Sequence, residues 1–151
     1  MSDSVSHPIH YYSLSSAADA IRDGQLSPVE LTEKLLSRID SVDRKLRSYA
    51  TVMTEQAMEA GRKAEQEIQA GNYKGPLHGM PIAVKDLCFT AGTRTMGGLK
   101  VLRDFVPDYD ATVVHKLREA GAVILGKLNL TEGALSGYHR DFPIPVNPWG
   151  E

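Results

Sequence analysis

The sequence contains a single cysteine, Cys88, among its 151 residues. One cysteine excludes an internal disulfide framework and a zinc site built from several cysteines. No apolar run approaches the roughly 20 residues of a membrane-spanning helix, and the first residues lack the basic and apolar regions of a signal peptide. Positive charge is not in excess, since 17 Lys and Arg against 19 Asp and Glu give a net charge of −2. That balance argues against nucleic-acid binding through bulk charge, and we expect a soluble, cytoplasmic protein.

The remaining composition is that of an ordinary globular protein. Apolar residues make up 42% and charged residues 24% of the chain, proportions that exclude a disordered or fibrous protein. A chain of this length allows one domain, and such a domain buries about two-thirds of the surface that its unfolded chain exposes. We therefore expect a folded unit with a substantial hydrophobic core.

The first part of the sequence, residues 1–71, has a mainly helical pattern. Ser27 suits an N-cap and Glu30 suits the third helical position, which together form a capping box. An apolar stripe at helical spacing follows, made of Leu31, Leu35, Ile39, Val42 and Leu46. After a short strand-like segment, Thr54 is predicted to cap a further helix.

The second part, residues 72–151, has the pattern of an α/β core. The segments 82–87 and 122–125 predict two strands, the second of the continuous apolar type that is buried on both faces of a parallel sheet. Between them Asp110 is predicted to cap a helix. The inward positions of that helix are expected to be Val113, Val114, Leu117 and Ala120. Strand, helix and strand form a βαβ unit, which assigns the chain to the α/β class.

Lys85 is the most unusual residue, because it lies inside an apolar strand. Alternation places Lys85 on one face of that strand and Val84 and Asp86 on the other. Lysine is rarely buried without a partner or a function, and burial lowers its pKa toward the range in which a neutral amine acts as a general base. The alternative is a lysine at a strand end whose amine reaches water.

The segment from Gly121 to Lys127 matches the first seven positions of a phosphate-binding P-loop. The eighth position should carry Ser or Thr to bind magnesium, but it is Leu128. The four variable residues, Ala-Val-Ile-Leu, favour a strand, whereas a phosphate loop needs free backbone N–H groups. The pattern therefore argues against nucleotide binding.

The last segment, residues 141–151, holds three prolines together with Phe142, Val146 and Trp149. A chain terminus is more often polar and frayed. Two interpretations are open. Either the segment packs onto residues further along a longer protein, or it folds back on its own domain.

The run Gly75-Pro-Leu-His-Gly-Met-Pro-Ile-Ala-Val-Lys-Asp86 closely resembles a motif of the amidase signature family. Four more segments agree with that family in the same order, namely Gly92–Gly98, Asp110–Ala122, Gly126–Asn129 with Glu132–Ala134, and Asn147–Trp149. The helical front, including the segment from Ser27 to Leu31, is also similar to the family's amino-terminal region. The resemblance covers most of the chain. It departs at Leu128 and Leu99, where the family usually has threonine and serine.

The resemblance implies a hydrolase that cleaves carboxamides, and related esters or carbamates such as urethanes, through a Ser–cis-Ser–Lys triad. The lysine of the triad, the general base, maps onto Lys85. Asp86 and Asn129 are expected to support it from neighbouring positions. The family's glycine-serine signature, which holds both serines, is expected after Asn147–Trp149 and past Glu151. This chain would then carry only the lysine and would be inactive by itself.

The implied fold is the amidase signature fold, a mixed twisted sheet with flanking helices, of which residues 1–151 form the amino-terminal part. No cofactor and no metal is implied, and neither nucleic acid nor membrane is expected as a partner. The expected partners are a small-molecule amide, ester or carbamate, and either a second copy or the complementing remainder of the chain. Two other functions stay open: an amidotransferase-type component of the same fold that delivers ammonia to a partner, and a non-catalytic binding module.

Overall fold

The computed structural model describes residues 8–135 and 137–150. Four helices and three strands are present there: α1 (Leu14–Arg22), α2 (Pro28–Leu46), β1 (Tyr49–Val52), α3 (Thr54–Gln69), β2 (Pro81–Lys85), α4 (Thr112–Glu119) and β3 (Val123–Leu128). Short 3-10 turns lie at Ile9–Tyr11, Lys100–Leu102 and Glu132–Ala134. Among these described residues, no helix has the length and apolar character needed to cross a membrane.

The start of α2 follows the predicted signal. The Ser27 side chain accepts a hydrogen bond from the Glu30 N–H at 3.1 Å, which satisfies one of the free donors of the first turn. The predicted cap of α3 by Thr54 is wrong, since Thr54 is already helical and the N-cap residue is Met53, without a side-chain bond. Met53 is buried and donates its N–H to the Leu125 carbonyl at 2.8 Å. The sheet therefore fixes the point at which α3 begins.

The predicted cap of α4 by Asp110 is also wrong. The N-cap of α4 is Ala111, which makes no side-chain cap. The Asp110 carboxylate instead accepts the Ala91 N–H at 2.7 Å and pairs with Arg118 at 3.2 Å. Asp110 thus joins the loop after β2 to the last turn of α4.

The three strands form one mixed sheet in the order β1-β3-β2. Strand β2 runs parallel to β3, and β1 runs antiparallel to it. Because α4 connects β2 to β3, the predicted βαβ unit and the α/β class are confirmed. β3 is the central strand of this sheet, and β2 lies at one edge of it.

A β-bulge interrupts the register between β2 and β3. Ile82 pairs with Ile124, but the next residue, Ala83, pairs with Gly126, so that Leu125 is the extra residue. Gly126 also has no room for a side chain, because a Cβ there would overlap the Thr51 carbonyl oxygen of β1. Because of the bulge, the side chains of β3 after Leu125 lie on the faces opposite to those that strict alternation predicts.

The core lies on both faces of the sheet. On one face Val123 and Leu125 pack against Leu36 of α2 and Ala57 of α3. On the other face Ile124 packs in a cluster whose further members are Met53, Val84 and Val114. Strand β3 is therefore covered on both sides, as its continuous apolar run predicts.

Two expectations about buried positions differ from the structure. Val113 is 50% exposed, so its predicted inward position is wrong, and the neighbouring Val114 is the fully buried residue of α4. In the predicted stripe of α2 only Leu31 is buried, and the later members are half-exposed. Those later members line a groove together with Pro81, Ile82 and Ala83.

The segment after residue 141 contacts the end of α2. The Val146 N–H donates to the Leu46 carbonyl at 2.8 Å, and the Asn129 side chain donates to the Pro143 carbonyl at 2.9 Å. Trp149 is 94% exposed. The segment thus contacts the rest of the described chain at Val146, whereas the Trp149 side chain contacts little of the described chain. Glu151, the last residue, lies outside the described residues.

Candidate active site

Lys85 is the last residue of β2. Its side chain is exposed, whereas Val84 and Asp86 on either side of it are buried. The alternation predicted from the sequence is therefore confirmed, but the expectation of a buried, desolvated lysine is wrong for this chain. The physical reason is that Lys85 is the last residue of β2 and its side chain projects from the face opposite to that of the buried Val84 and Asp86, where the described residues leave it exposed.

The buried lysine of the structure is Lys127, one residue before the end of β3. Its side chain is fully buried, and its Nζ donates to the Cys88 carbonyl at 2.7 Å and to Thr95 Oγ1 at 2.6 Å. The same Nζ lies 3.6 Å from Asp86 Oδ1. Lys127 therefore contacts the segment that follows Lys85 at three points.

Asp86 is the buried partner of this lysine. Its Oδ2 accepts the Met96 N–H at 3.1 Å, while its Oδ1 faces Lys127 and accepts no hydrogen bond among the described residues. Its backbone also forms two hydrogen bonds, from its N–H to Leu128 and from the Gly97 N–H to its carbonyl. Asp86 is thus the start of the loop that leads to Gly97, and it also holds the end of that loop through the N–H groups of Met96 and Gly97.

Burial is the main influence on both charges of the pair. It raises the pKa of the Asp86 carboxyl, against smaller opposing effects of the Met96 N–H, Lys127 and Arg94. It lowers the pKa of the Lys127 amine, and the nearby Asp86 acts in the opposite direction. Each group therefore depends on the other, because a single buried charge without a partner is costly.

Sequence reasoning missed this pair. The pattern of Gly121–Lys127 is similar to a P-loop, but Val123–Leu128 is a strand whose backbone is paired on both sides, so no phosphate loop exists there. Strict alternation from Val123 would place Lys127 on the same face as Val123 and Leu125. The bulge at Leu125 moves it to the face of Val84 and Asp86. The available signal was a lysine two residues after a continuous apolar run, Ala122–Leu125.

The loop after β2 is also fastened to its neighbours. Arg94 donates from Nη2 to the Ala50 carbonyl at 2.6 Å and to Thr51 Oγ1 at 3.2 Å. The sequence of the Gly92–Gly98 segment suits either a ligand-binding loop or an ordinary connection. Its Gly92 and Gly97 N–H groups are already bonded to the carbonyls of Pro107 and Asp86. At these two positions the backbone N–H groups are therefore bonded within the protein.

Asn129 does not support Lys85 through a hydrogen bond. Its amide donates to the Arg47 and Pro143 carbonyls at 3.3 and 2.9 Å, and its Oδ1 accepts the Leu130 N–H. Asn129 therefore joins the end of α2 to the segment after residue 141. The expected supporting role of Asp86 has a structural basis, since Asp86 directly follows Lys85 and is held through both its backbone and its carboxylate.

Two clefts on the described surface lie away from the Lys85 side chain. One, of about 390 Å³, is lined by residues of α3 together with His78 and Arg118. The other is the groove along α2 and β2. Neither is lined by Lys85. Within the described ranges no three His, Cys, Asp or Glu side chains lie together in a way that could hold a metal ion.

Comparison with known proteins agrees with the motifs around Lys85 and with the mixed sheet. The model of the Amidase family matches residues 30–151. The chain belongs to the amidase family. The putative amidase AmiD of Mycobacterium tuberculosis (strain ATCC 25618 / H37Rv) is 55% identical over 136 residues, which cover 90% of this chain and 29% of AmiD.

Two further relatives represent different activities. The A subunit of the glutamyl-tRNA(Gln) amidotransferase of Geobacter sulfurreducens is 46% identical over 133 residues, which cover 87% of this chain and 27% of the relative. The solved structure of the peptide amidase of Stenotrophomonas maltophilia superposes with a TM-score of 0.78 at 35% identity, covering 83% of this chain and 26% of the enzyme. The chain thus spans less than a third of these relatives' length. The architecture is part of the amidase signature fold.

Proposed function

We propose that the protein to which this chain belongs hydrolyses carboxamides, and that Lys85 is the general base of a Ser–cis-Ser–Lys triad. The observation that carries the proposal is the Lys85 amine, which is exposed at the carboxyl end of an edge strand, between two buried residues. The backbone of Lys85 is fixed while its amine is free to meet other groups. The amidase family membership and the peptide amidase neighbour support the choice of amide chemistry.

The proton path begins at the nucleophilic serine. Its hydroxyl proton passes to the cis serine, whose own proton passes to the neutral Lys85 amine. The nucleophilic oxygen forms a bond to the amide carbonyl carbon, the C–N bond breaks, and the leaving amine takes the proton from the Lys85 ammonium through the cis serine, which restores the neutral Lys85 amine. An acyl-enzyme remains, and water releases the acid by the same path in reverse. The proposal expects both serines after Glu151, so the path requires residues beyond these 151.

A general base works best when its pKa lies near the working pH. Residues that pack over the exposed Lys85 side chain would bury the amine, and burial disfavours the charged form of a lysine. The proposal therefore expects the serine-bearing segment to cover Lys85 directly.

The test uses the protein expressed from its complete coding sequence. Lys85→Ala should reduce the hydrolysis of an aryl amide, followed by release of the aromatic amine, by at least about 1,000-fold, because members of such a triad act as a unit. Lys116→Ala removes an exposed lysine on α4 and is the matched control. Both variants should retain the melting temperature of the unsubstituted protein. Turnover that survives in Lys85→Ala would exclude this role.

A second candidate is an amidotransferase-type function, favoured by the 46% identity to the glutamyl-tRNA(Gln) amidotransferase component. In that function the ammonia is passed to a partner protein and not released. The distinguishing measurement is glutamine hydrolysis with and without the proteins that co-purify with the chain. Glutaminase activity that depends on such a partner would favour the second candidate. If neither amides nor glutamine are hydrolysed, a non-catalytic binding module is the better description.

The proposed substrate range includes esters and carbamates, because the same acyl-enzyme path opens all three bonds. A panel that shares one acyl group and varies the leaving group, as amide, ester or urethane, would rank them. Equal loss of all three activities in Lys85→Ala would show that one base serves the whole range.

A further inference from the structure

The loop that directly follows Lys85 is held by one buried ion pair. Asp86 is the next residue after Lys85, and Lys127 comes from the neighbouring strand. The register places Val84 opposite Lys127 and Lys85 opposite Leu128, so both lysines belong to the same end of the sheet. Their environments are opposite, since the Lys85 side chain is exposed and the Lys127 side chain is fully buried.

The two members of the pair hold different parts of this loop. Lys127 Nζ donates to the Cys88 carbonyl at 2.7 Å and to Thr95 Oγ1 at 2.6 Å. Asp86 accepts the N–H groups of Met96 and Gly97, at 3.1 Å each, through its Oδ2 and its carbonyl. The beginning and the end of the loop are therefore fastened to the same two residues.

We propose that Asp86 and Lys127 are positioning residues, which fix the peptide after Lys85 and thereby set the direction of the Lys85 amine. This inference rests on the proposed role of Lys85 as the base. It assigns a function to Lys127, which the sequence pattern alone places only in a P-loop-like segment. The pair does not touch the reacting atoms and acts only through Lys85.

Stability alone does not account for the pair. Buried ion pairs lose much of their attraction to desolvation, and apolar residues of similar volume often replace them without loss of stability. Asp86 Oδ1 illustrates the cost, since it is buried and accepts no hydrogen bond among the described residues. The place of the pair beside Lys85 gives it a further role in geometry, because misplacing a reacting group by about 1 Å can cost about 100-fold in rate.

The test separates geometry from stability with three variants of the protein expressed from its complete coding sequence. Lys127→Met removes the amine and leaves the Asp86 charge buried. Asp86→Asn/Lys127→Met removes both charges and keeps an oxygen that can accept the Met96 N–H. Lys116→Met, on the exposed face of α4, is the matched control.

Three quantities are measured for each variant: the melting temperature, kcat and KM for an aryl amide, and the rate at which an amine-reactive reagent labels Lys85, followed by mass spectrometry of the Lys85 peptide. Lys127→Met should lower the melting temperature and kcat together. The double variant should regain most of the melting temperature. Its kcat should remain about 10- to 100-fold below that of the unsubstituted protein with KM nearly unchanged, and Lys85 should label faster than in the control.

A double variant that regains the melting temperature, kcat and the labelling rate of Lys85 together overturns the inference and leaves the pair a purely structural role. If the unsubstituted protein hydrolyses no amide, the proposed function has failed, but the labelling rate still decides the positioning. Faster labelling of Lys85 in the double variant then supports a positioning pair, and an unchanged rate contradicts it.

Discussion

Gly121, at the end of α4, lies directly against the ring of His78. A Cβ on Gly121 would overlap His78 Cδ2, and His78 Cγ would be only 3.0 Å away from it. Gly121 also has a φ of +82°, in the left-handed region. The buried imidazole and the turn before β3 therefore fit each other only because residue 121 has no side chain.

Gly121→Ala should destabilise the protein by about 3 kcal/mol, because left-handed strain of about 1 kcal/mol adds to the cost of overpacking. Gly71→Ala is the matched control, since Gly71 has a φ of +84° but nothing within 4 Å of its would-be Cβ. That variant should show the strain alone, about 1 kcal/mol. Urea unfolding measures the loss of unfolding free energy in both variants. Equal losses would show that the contact with His78 does not add to the cost of the substitution at Gly121.

The sequence predicts what depends on local pattern. The cap at Ser27, the apolar run of β3 and the opposite faces of Lys85 and Asp86 follow from spacing within one element. These features are present in the structure. The parallel order of β2 and β3 also follows, because a helix between two strands leaves few alternatives.

The pair of Asp86 and Lys127 could not be predicted in the same way. It depends on the bulge at Leu125, which is a feature of the pairing between β2 and β3, two strands that are distant in the sequence. Contacts between distant parts of the chain produce no periodic pattern of residues that a single sequence could show. The exposure of Lys85 has a similar origin, since the residues that pack on a face of the sheet are set by the whole fold and not by the strand.

The two valines of α4 show the limit of periodicity within a short helix. The helix has eight residues, and adjacent positions differ by about 100° in direction. Only one of two neighbouring apolar residues can then face the sheet fully. Val114 does so and Val113 does not.

Val114→Ala should therefore cost about 2 kcal/mol of unfolding free energy, because it removes buried methyl groups from the cluster with Val84 and Ile124. Val113→Ala makes the same chemical change at a residue that is 50% exposed. It should change the stability by less than about 0.5 kcal/mol. Urea unfolding of the two variants compares them directly. Similar losses in both would contradict the described orientation of α4.

His78 links α3 to the segment before β2 and is fully buried. Its Nε2 lies 3.0 Å from Glu67 Oε2, and its Nδ1 accepts the Lys74 N–H at 3.1 Å. The Lys74 amine also pairs with Glu67 at 2.7 Å, and the Tyr73 ring lies 6.1 Å from the imidazole. Burial lowers the pKa of His78, and Glu67 opposes this shift more weakly. The folded protein thus favours the neutral imidazole, whose Nδ1 has a lone pair for the Lys74 N–H.

This preference makes stability depend on pH. The unfolded chain protonates His78 near its ordinary pKa of about 6.5, while the folded protein resists protonation until a lower pH. The stabilisation is therefore complete above about pH 6.5 and is lost as the pH falls toward the folded pKa. Glu67, whose pKa is lowered chiefly by its hydrogen bond to Lys74, adds a further loss below its own ordinary pKa of 4.5.

His78→Gln should consequently flatten the fall in melting temperature between about pH 7.5 and pH 5, even though its own melting temperature is lower at every pH. His115→Gln is the matched control, because it removes an exposed imidazole of α4. The slope of the control should match that of the unsubstituted protein. A slope in His78→Gln as steep as in the control would mean that protonation of His78 does not limit stability, and that other groups cause the acid sensitivity.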